Sequence, residues 1–300
     1  MPYPKHVSII EVGPRDGLQN EATSIHVDDK LTLIHDLVAA GCRRIEVGSF
    51  VSAKWVPQMA DSAALVSQLT HSPKHPNVIY SALTPNLRGL EDAIASGIDE
   101  VAVFGAASEG FSQKNINCSI AESIARFTPV IALAKQHNIP VRGYVSTVLG
   151  CPYEGDVPLE NVLYVARELY RLGCYEISLG DTIGVGTPLQ TQRMLETLLL
   201  HIPVKHLAVH FHNTYGQALA NVLIALQLGI TNIDSAVAGL GGCPYATGAS
   251  GNLATEDLVY MLHGMGISTG IDLPKLIHAG QQITNTLNIT PASNVNRALC

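Results

Sequence analysis

The sequence predicts an α/β protein of the (β/α)8 TIM-barrel type with a short additional helical region at its C-terminus. Short apolar segments alternate with longer amphipathic segments at a period of about 30 to 35 residues, as they do in βα units. Eight such units follow one another, which is the number that closes a barrel. The apolar fraction of 47% is mostly aliphatic, since only 5% of the residues are aromatic. This composition suits parallel strands that are covered by helices.

The predicted strands are short segments rich in β-branched residues, each too brief for a helix. Their positions are 7–12, 44–48, 78–83, 100–104, 141–145, 175–179, 207–212 and 233–237. A helix candidate follows each strand, at 30–40, 62–69, 86–95, 120–137, 159–172, 189–201, 217–228 and 256–265. Three of these helices are followed by glycine, as Gly41, Gly173 and Gly229. Glycine commonly ends a helix because it adopts the left-handed conformation without strain.

One catalytic domain is predicted to span residues 1–300. An open doubly wound sheet is the main alternative to a closed barrel, but no GxGxxG sequence follows the first strand. No change in composition marks a second domain. Residues 274–287 have a helical, amphipathic pattern, and the tail after them is expected to be irregular. We expect residues from about 267 to 300 to pack on the barrel or on a partner subunit, in a homodimer or a higher homo-oligomer.

The composition argues against nucleic-acid and membrane partners. The net charge is −7 and no cluster of Lys and Arg stands out, whereas phosphate binding needs concentrated positive charge. No apolar run reaches the ~20 residues that a membrane helix needs. The six cysteines are scattered without CxxC spacing, which favours reduced thiols. The N-terminus lacks the pattern of a signal or transit peptide, and a cytoplasmic protein is therefore expected.

The first candidate for chemistry is the pair His210 and His212. It ends a segment that alternates polar and apolar residues, which is typical of a strand, and residues two apart on a strand share one face. Two imidazoles side by side form half of a divalent-metal site, although two buried histidines held by hydrogen bonds are the alternative. Asp16 and Asn252 lie in the loops after the first and eighth strands and add oxygen donors. This mixed set suits Mg or Mn better than a thiolate zinc site.

Three charged residues fall at other strand ends, where a barrel collects its catalytic groups. Arg15 follows a Gly-Pro turn, and the simplest interpretation is a loop salt bridge with its neighbour Asp16. Glu46 lies late in an apolar strand, where a carboxylate needs a partner or a metal. Arg15 is the obvious partner, while solvent would suffice at the barrel rim. Asp181 ends the sixth strand as either a helix N-cap or an acid/base group.

Two cysteines lie in turn-rich loops that follow strands. Cys243 belongs to residues 239–252, which hold five glycines in fourteen residues and can move or approach a ligand closely. A lid that carries Cys243 is favoured over a phosphate cradle, because no lysine follows as in a P-loop. A loop cysteine becomes reactive only when a low pKa or a nearby base activates it. Cys151 is interpreted as a small buried residue in a turn.

Three segments of the sequence resemble the 3-hydroxy-3-methylglutaryl-CoA lyase family. They are EVGPRDGLQN at 11–20, SFVS at 49–52 with KWVPQM at 54–59, and the glycine-rich segment with the helix after it at 239–262. The resemblance spans nearly the whole chain, and the last segment is highly specific. A wider group of metal-dependent barrel lyases and condensing synthases shares only the Arg-Asp, Glu and His-x-His elements.

The resemblance implies a (β/α)8 barrel, a divalent cation (Mg or Mn) and a CoA thioester substrate. The implied reaction is retro-Claisen cleavage of 3-hydroxy-3-methylglutaryl-CoA to acetoacetate and acetyl-CoA. The residues that match the family's metal site are Asp16, His210, His212 and Asn252. Arg15 matches the arginine that stabilises enolate charge. The positions that match residues implicated in catalysis are Glu46, Asp181 and Cys243.

Two further positions bear on the resemblance without changing the implied mechanism. Thr147 stands where some relatives carry cysteine. Cys300 ends the sequence, and a terminal thiol in related lyases can form disulfides between subunits. Here we expect a free, mobile thiol.

Three alternatives to this lyase follow from the same residues. A condensing synthase that joins acetyl-CoA to an oxo acid would use the same metal and barrel, but such synthases usually carry further C-terminal domains. A non-enzymatic scaffold would use the cation only to hold loops. A lyase for a related hydroxyacyl-CoA would differ in its acyl pocket, whose shape sequence motifs do not reveal.

Overall fold

Eight parallel strands close into a barrel in the computed structural model, which describes residues 3–71, 75–241 and 251–299. The strands are β1 (Ser8–Glu11), β2 (Arg44–Ser49), β3 (Ile79–Leu83), β4 (Glu100–Ala106), β5 (Val141–Ser146), β6 (Glu176–Asp181), β7 (Leu207–Phe211) and β8 (Asn232–Ser235). Neighbours in the sequence are neighbours in the barrel, and β1 closes it by pairing with β8 from Ser8↔Asn232 to Glu11↔Ser235. The predicted (β/α)8 fold is confirmed.

Helices follow the strands and cover the outside of the barrel. In the described part of the chain they are α1 (Val27–Ala39), α2 (Ser62–His71), α3 (Leu87–Ala95), α4 (Glu109–Ile116), α5 (Ile120–Gln136), α6 (Leu159–Leu172), α7 (Pro188–Leu199), α8 (Ala218–Gln227), α9 (Thr255–Gly264), α10 (Leu273–Leu287) and α11 (Asn294–Ala298). Both α4 and α5 follow β4, and α10 and α11 come after the eighth unit. α10 packs against α1, and α11 packs against α9.

The predicted and observed elements differ mainly at their ends. α6 begins and ends where the sequence pattern placed it, and the other predicted helices differ by one to three residues at one end or at both. The glycine stops are confirmed, since Gly41, Gly173 and Gly229 have φ values of 106°, 112° and 88°. Each lies in the left-handed region that ends a helix and lets the next strand begin.

Besides short 3₁₀ turns, three elements of the described chain were not expected from the sequence. A single π-helical turn forms at Gly13–Gly17, α4 forms between β4 and α5, and α11 forms in the C-terminal tail. The prediction of an irregular tail is therefore wrong. α11 forms because Ser293 caps it, while the Asp257 carboxylate of α9 accepts hydrogen bonds from Ser293 Oγ at 2.7 Å and the Val295 amide at 2.9 Å.

Ion pairs occupy part of the barrel interior. Arg142 of β5 lies between two buried carboxylates, because its Nε donates to Glu176 Oε1 at 2.7 Å and its Nη2 donates to Asp234 Oδ1 at 2.6 Å. Arg44 of β2 joins the same group through Glu176 at 3.0 Å. Buried charges are tolerated only when they are paired and hydrogen-bonded. These pairs therefore fix how β2, β5, β6 and β8 stand relative to one another beneath the functional residues.

The described cysteines that are buried are free thiols, as the sequence predicted. The buried free thiols are Cys42, Cys118, Cys151 and Cys174. Cys151 thus has the buried position expected of it, while Cys243 and Cys300 lie outside the described residues. Within the ranges described above, the helices are all too short or too polar to cross a membrane.

Candidate active site

The predicted site residues within the described ranges meet at the carboxyl ends of the strands. Their positions are the turn after β1 for Arg15 and Asp16, β2 for Glu46, the end of β6 for Asp181, β7 and the residue after it for His210 and His212, and the segment before α9 for Asn252. In a (β/α)8 barrel this end carries the chemistry. The fold therefore assembles residues that are up to 236 positions apart in the sequence, as the contact between Asp16 and Asn252 shows.

One backbone oxygen organises the turn that carries Arg15 and Asp16. The Val12 carbonyl accepts hydrogen bonds from the amides of Arg15, Asp16 and Gly17 at 3.1, 2.7 and 3.2 Å. Pro14 lies at the start of the turn, where its missing amide hydrogen leaves no bond unmade. Single π-helical turns are frequent at functional sites. Here the turn places two oppositely charged neighbours over the barrel mouth.

Asp16, His210 and His212 form a compact group of the kind that binds metal ions. One ligand atom of each side chain lies within 4.8 Å of the other two. The imidazole rings are 5.4 Å apart between centroids, and His210 Nε2 is 3.7 Å from Asp16 Oδ2. The two histidines therefore share one face, as the strand alternation predicted, and they converge on a carboxylate.

The protonation states of Asp16 and His212 suit a cation. Burial opposes a charge on Asp16, but the Arg15 guanidinium and the two histidines lower its pKa to about 2, so the carboxylate is ionised. Burial and the neighbouring His210 lower the pKa of His212 to about 4, so that imidazole is neutral. In the described ranges, His212 Nδ1 is buried and has no hydrogen-bond partner. Metal ligands must be deprotonated, and this donor set fits Mg, Mn or a similar divalent ion.

Asn252 lies beside the group but presents its amide nitrogen to it. Asn252 Nδ2 donates to Asp16 Oδ2 at 2.9 Å and to the Leu240 carbonyl at 3.1 Å. A ligand role requires the amide oxygen, which takes the same place when the amide turns over. The fold brings Asn252 to the site, and its role as an oxygen ligand stays a prediction.

Arg15 is held between two carboxylates by short, charge-assisted hydrogen bonds. Its Nη1 donates to Asp16 Oδ1 at 2.6 Å, and its Nε donates to Glu46 Oε2 at 2.6 Å. Its Cζ lies 5.7 Å from the centre of the Tyr144 ring. Burial disfavours the cation, yet Glu46 and Asp16 raise the pKa of Arg15, which stays charged. Both partners are the ones that the sequence indicated.

Asp181 and Glu46 are buried acids that each keep one oxygen without a partner in the described part of the chain. Asp181 Oδ2 accepts a hydrogen bond from the Gly186 amide at 2.8 Å, and burial raises the pKa of Asp181 to about 6. Burial also raises the pKa of Glu46, against the pull of Arg15. The N-cap alternative for Asp181 is wrong, because the N-cap of α7 is Thr187. Asp181 is thus suited to exchange a proton near neutral pH.

Cys243 lies in residues 242–250, outside the described part of the chain. The segment is entered through Gly239 and Gly241, whose φ values of 69° and 92° favour glycine. The Gly241 amide donates to Glu21 Oε1 at 3.0 Å, which fixes the start of the segment near the first βα loop. The catalytic role of Cys243 stays a prediction.

Two residues at the site were not among the sequence candidates. Asp234 Oδ2 of β8 lies 3.2 Å from His210 Nδ1, and the Tyr144 ring of β5 stands edge-on to the His210 ring with centroids 6.0 Å apart. A signal for Asp234 existed, since a carboxylate within a buried strand needs a partner, as Glu46 does. No pattern singles out Tyr144, because its place depends on closure of the barrel.

An apolar cluster adjoins the polar group at the barrel mouth. It consists of Leu83, Ala102 and Tyr144, with the partly buried Val51 and Phe104 packed against them. Tyr144 joins this cluster to the polar group, because the same ring contacts His210 and lies near Arg15. Ligand sites commonly combine an apolar wall with a few oriented polar groups. This mouth can therefore hold a polar ligand that carries a small apolar substituent.

Comparisons with known sequences point to one family. The family model described as HMGL-like matches residues 6–283. A Mus musculus protein named "3-hydroxy-3-methylglutaryl-CoA lyase, cytoplasmic" is 58% identical over 295 residues, which are 98% of this chain and 85% of that protein. A Pseudomonas aeruginosa protein named "3-hydroxy-3-isohexenylglutaryl-CoA/hydroxy-methylglutaryl-CoA lyase" is 57% identical over 299 residues, which are 100% of this chain and 99% of that protein.

Solved structures are similar over the same extent. The hydroxymethylglutaryl-CoA lyase of Pseudomonas aeruginosa superposes with a TM-score of 0.97 at 57% identity, covering 100% of this chain and 99% of that one. An HMG-CoA lyase of Acinetobacter baumannii, solved with coenzyme A and 3-methylmalate, gives a TM-score of 0.92 at 38% identity. That match covers 99% of this chain and 96% of the other.

Proposed function

Because this chain belongs to the HMGL-like family, we propose that it is a 3-hydroxy-3-methylglutaryl-CoA lyase. It cleaves 3-hydroxy-3-methylglutaryl-CoA to acetoacetate and acetyl-CoA. The observation that carries the proposal is the buried Arg15 guanidinium beside the cluster of Asp16, His210 and His212. A fixed cation next to metal-type ligands serves a reaction that develops negative charge on oxygen.

Retro-Claisen cleavage must manage charge at two places. The tertiary hydroxyl loses its proton, and its oxygen becomes the ketone of acetoacetate. The electron pair of the broken carbon–carbon bond moves onto the acetyl-CoA fragment, which leaves as an enolate. The enolate carbon then takes up a proton and becomes the methyl group of acetyl-CoA. Catalysis therefore needs a proton acceptor, a stabilised enolate oxygen and a proton donor.

The residues assigned to the divalent cation, Mg or Mn, are Asp16, His210, His212 and Asn252. When bound, such an ion polarises the hydroxyl and carboxylate oxygens of the substrate and lowers the pKa of the hydroxyl. The ionised Asp16 and the neutral His212 support this assignment. Asn252 contributes once its amide presents oxygen in place of nitrogen.

Arg15 stabilises the enolate oxygen of the departing thioester. Its contacts to Asp16 and Glu46 use up to three of its five N–H groups and leave others for the substrate. Both partners hold the guanidinium in place, so it need not reorganise as the charge develops. Glu46 is thereby a positioning residue for Arg15.

Two residues are assigned to proton transfer. Asp181 accepts the hydroxyl proton, because a pKa of about 6 leaves it ionised at neutral pH and its Oδ1 has no partner in the described ranges. A metal-ligand histidine is the alternative acceptor. Cys243, carried on the glycine-rich segment, donates the proton to the enolate carbon.

The partners follow from the same reaction. The substrate is a CoA thioester, as the names of the relatives indicate, and the A. baumannii structure holds coenzyme A.

We place the enzyme in the cytoplasm, as a homodimer or larger homo-oligomer. The relatives include proteins named cytoplasmic and others named mitochondrial, so fractionation of the source cells is the test of the compartment.

Acetoacetate release from 3-hydroxy-3-methylglutaryl-CoA tests the proposed reaction. Purified protein is assayed after chelation and again after Mg or Mn is added. We expect activity that chelation abolishes and either ion restores. Product formation from acetyl-CoA and an oxo acid instead would favour a condensing synthase. A large loss of thermal stability on chelation without turnover of any thioester would favour a scaffold.

A lyase for a related hydroxyacyl-CoA is the second candidate function. The P. aeruginosa relative carries two substrates in its name, one of them with an isohexenyl group at carbon 3. The apolar cluster beside His210, with Val51 and Phe104 partly exposed, is the surface that such a group would contact. Comparing kcat/KM for the methyl and isohexenyl substrates decides which acyl group this enzyme prefers.

A further inference from the structure

Asp234 is a buried carboxylate that touches the candidate metal site from inside the barrel. Its Oδ1 accepts a hydrogen bond from Arg142 Nη2 at 2.6 Å. Its Oδ2 lies 2.9 Å from Arg142 Nη1, 2.9 Å from Ser178 Oγ and 3.2 Å from His210 Nδ1. The bidentate hydrogen bonds from Arg142 keep the Asp234 carboxylate ionised and prevent its rotation. Arg142 of β5 thus fixes the orientation of Asp234, and β6 and β7 each add a single contact to the same carboxylate.

An ionised carboxylate can only accept hydrogen bonds, and this decides the state of His210. The hydrogen of a neutral His210 must therefore sit on Nδ1, where Asp234 receives it. The other ring nitrogen, Nε2, then carries the lone pair, and it is the atom 3.7 Å from Asp16 Oδ2. Asp234 thus determines both the tautomer and the direction of the ring.

His212 differs from His210 in this respect. Its Nδ1 is buried and has no hydrogen-bond partner among residues 3–71, 75–241 and 251–299. The two rings lie 5.4 Å apart, so both face the same site, but only His210 is tied to a carboxylate behind it. The two imidazoles are therefore unequal ligands.

We propose that Asp234, held by Arg142, is a positioning residue that presents His210 Nε2 to the cation before the cation binds, whereas the tautomer of His212 is selected only when the cation binds. The inference rests on the cation site of the proposed function, and it does not depend on which thioester is cleaved. Arg142 and Asp234 thereby orient a metal ligand in addition to joining the strands of the barrel. Outer partners of metal-ligating histidines typically change metal affinity or activity by about 10–100-fold.

The tautomer of His210 in the wild-type, metal-free protein is the first test. Nitrogen–proton correlation spectra of the imidazoles at pH 8 are assigned with the variants His210→Gln and His212→Gln. We expect His210 to carry its hydrogen on Nδ1 alone, and His212 to show averaged tautomers. A His210 ring with its hydrogen on Nε2, or with averaged tautomers, would overturn the proposal without any need for a folded variant at position 234.

Metal affinity is the second test. Mn binding is measured for Asp234→Asn and for the control Ser178→Ala, which removes a hydrogen bond to the same oxygen without touching His210. We expect Asp234→Asn to bind Mn about 10–100-fold more weakly and Ser178→Ala to stay within about twofold of wild type, a margin well below the effect of losing an outer partner. Unchanged affinity in a folded Asp234→Asn protein, or an equal loss in both variants, would contradict the proposal.

The same measurements separate this inference from the proposed reaction. Wild-type protein that binds Mn and shows the expected tautomer, yet releases no acetoacetate, would refute the lyase and leave the role of Asp234 intact. Wild-type protein that binds no Mn would refute the cation site, and the positioning role would fail with it.

Discussion

Arg15 lowers the pKa of both of its carboxylate partners, yet the net pKa shifts of the two acids have opposite directions. Asp16 also has two histidines nearby, and together with Arg15 they lower its pKa to about 2 despite burial. Glu46 is more deeply buried and has the Asp16 charge as a neighbour, so its pKa is raised even though Arg15 donates to it at 2.6 Å. Glu46 and Asp16 together keep the guanidinium charged, and the N–H groups that they do not use can meet a third anion. An enolate oxygen is such an anion.

Replacing Arg15 by methionine tests this electrostatic role. Methionine has a similar length and fills the buried space, but it provides no charge and no N–H group. We expect Arg15→Met to lower kcat by about a thousand-fold or more, while Mn affinity at pH 8 changes little because Asp16 stays ionised there. Steady-state kinetics and Mn titration measure the two effects. An active Arg15→Met enzyme would remove the central role of the guanidinium.

The proposed role of Cys243 as proton donor can be tested by a single substitution. If its thiol gives the proton to the enolate carbon, Cys243→Ser replaces it with a much weaker acid at the same place. We expect kcat to fall by about 10²–10⁴-fold with little change in KM. Cys118→Ser, at a buried thiol outside the site, is the matched control and should keep wild-type kcat. Unchanged turnover in Cys243→Ser would reduce Cys243 to loop packing.

The sequence predicted the contact between the oppositely charged Glu46 and Arg15. It missed the contacts of Asp234, which form only when the barrel closes. A carboxylate in an apolar strand needs a partner, and this argument correctly paired Glu46 with Arg15. The same argument applies to Asp234, whose partners come from three other strands and become neighbours only when the barrel closes. The orientation of the Asn252 amide depends on the Leu240 carbonyl, which no motif specifies.

At the scale of single elements, the ends of helices are set by two different kinds of interaction. Glycine ends α1 and α6 through backbone conformation alone, and such stops are visible in the sequence. α4 and α11 are short and lack a clear apolar period. α11 depends on Asp257 of α9, a tertiary contact that the local sequence does not show. Short helices of this kind are therefore the elements that sequence patterns miss.

Alanine substitutions at two helix-ending glycines can separate the effect of backbone strain from that of a steric clash. Gly41 and Gly173 have similar φ values of 106° and 112°. A Cβ at Gly173 would have its nearest neighbour in Ile131 at 3.7 Å, whereas a Cβ at Gly41 would collide with the Gly270 carbonyl oxygen before α10. We expect Gly173→Ala to lower the free energy of unfolding by about 1–2 kcal/mol, and Gly41→Ala to lower it further. Urea titration measures both, and equal losses would contradict the predicted clash.

For the whole molecule, closure of the barrel explains why distant residues act as one site. The register between β1 and β8 brings the turn after β1 next to the segment before α9. The hydrogen bond between Asp16 and Asn252 crosses this junction of β1 with β8. The fold class and the end of the barrel that carries the site follow from the repeat of βα units. The interior ion pairs, such as Arg142 with Asp234, do not follow from it, because their partners depend on the tilt of the strands.

Two buried acids lie near the junction of β1 with β8, and one of them, Glu256, connects the C-terminal region to the barrel. Glu11 Oε1 accepts hydrogen bonds from the amides of Gly13 and Val237, both at 2.8 Å. Glu256 accepts one from the Ala238 amide at 2.9 Å and one from Asn296 Nδ2 at 3.1 Å, which joins α9 to α11. Burial raises the pKa of Glu11 to about 7 and that of Glu256 to about 8.

The raised pKa values predict that the fold loses stability as pH rises from about 4.5 to about 8. Between the unfolded value near 4.5 and the folded values near 7 and 8, the folded state binds more protons than the unfolded state. The free energy of unfolding therefore falls with increasing pH in this window. We expect the Tm of metal-free protein to decrease from pH 6 to pH 9. Glu256→Gln, which imitates the protonated carboxyl, should reduce that decrease, whereas the exposed Glu122→Gln should leave it as in wild type. A Tm that is constant or rises over this range, or an identical slope in Glu256→Gln, would show that these buried carboxyls are not protonated in the folded state near neutral pH.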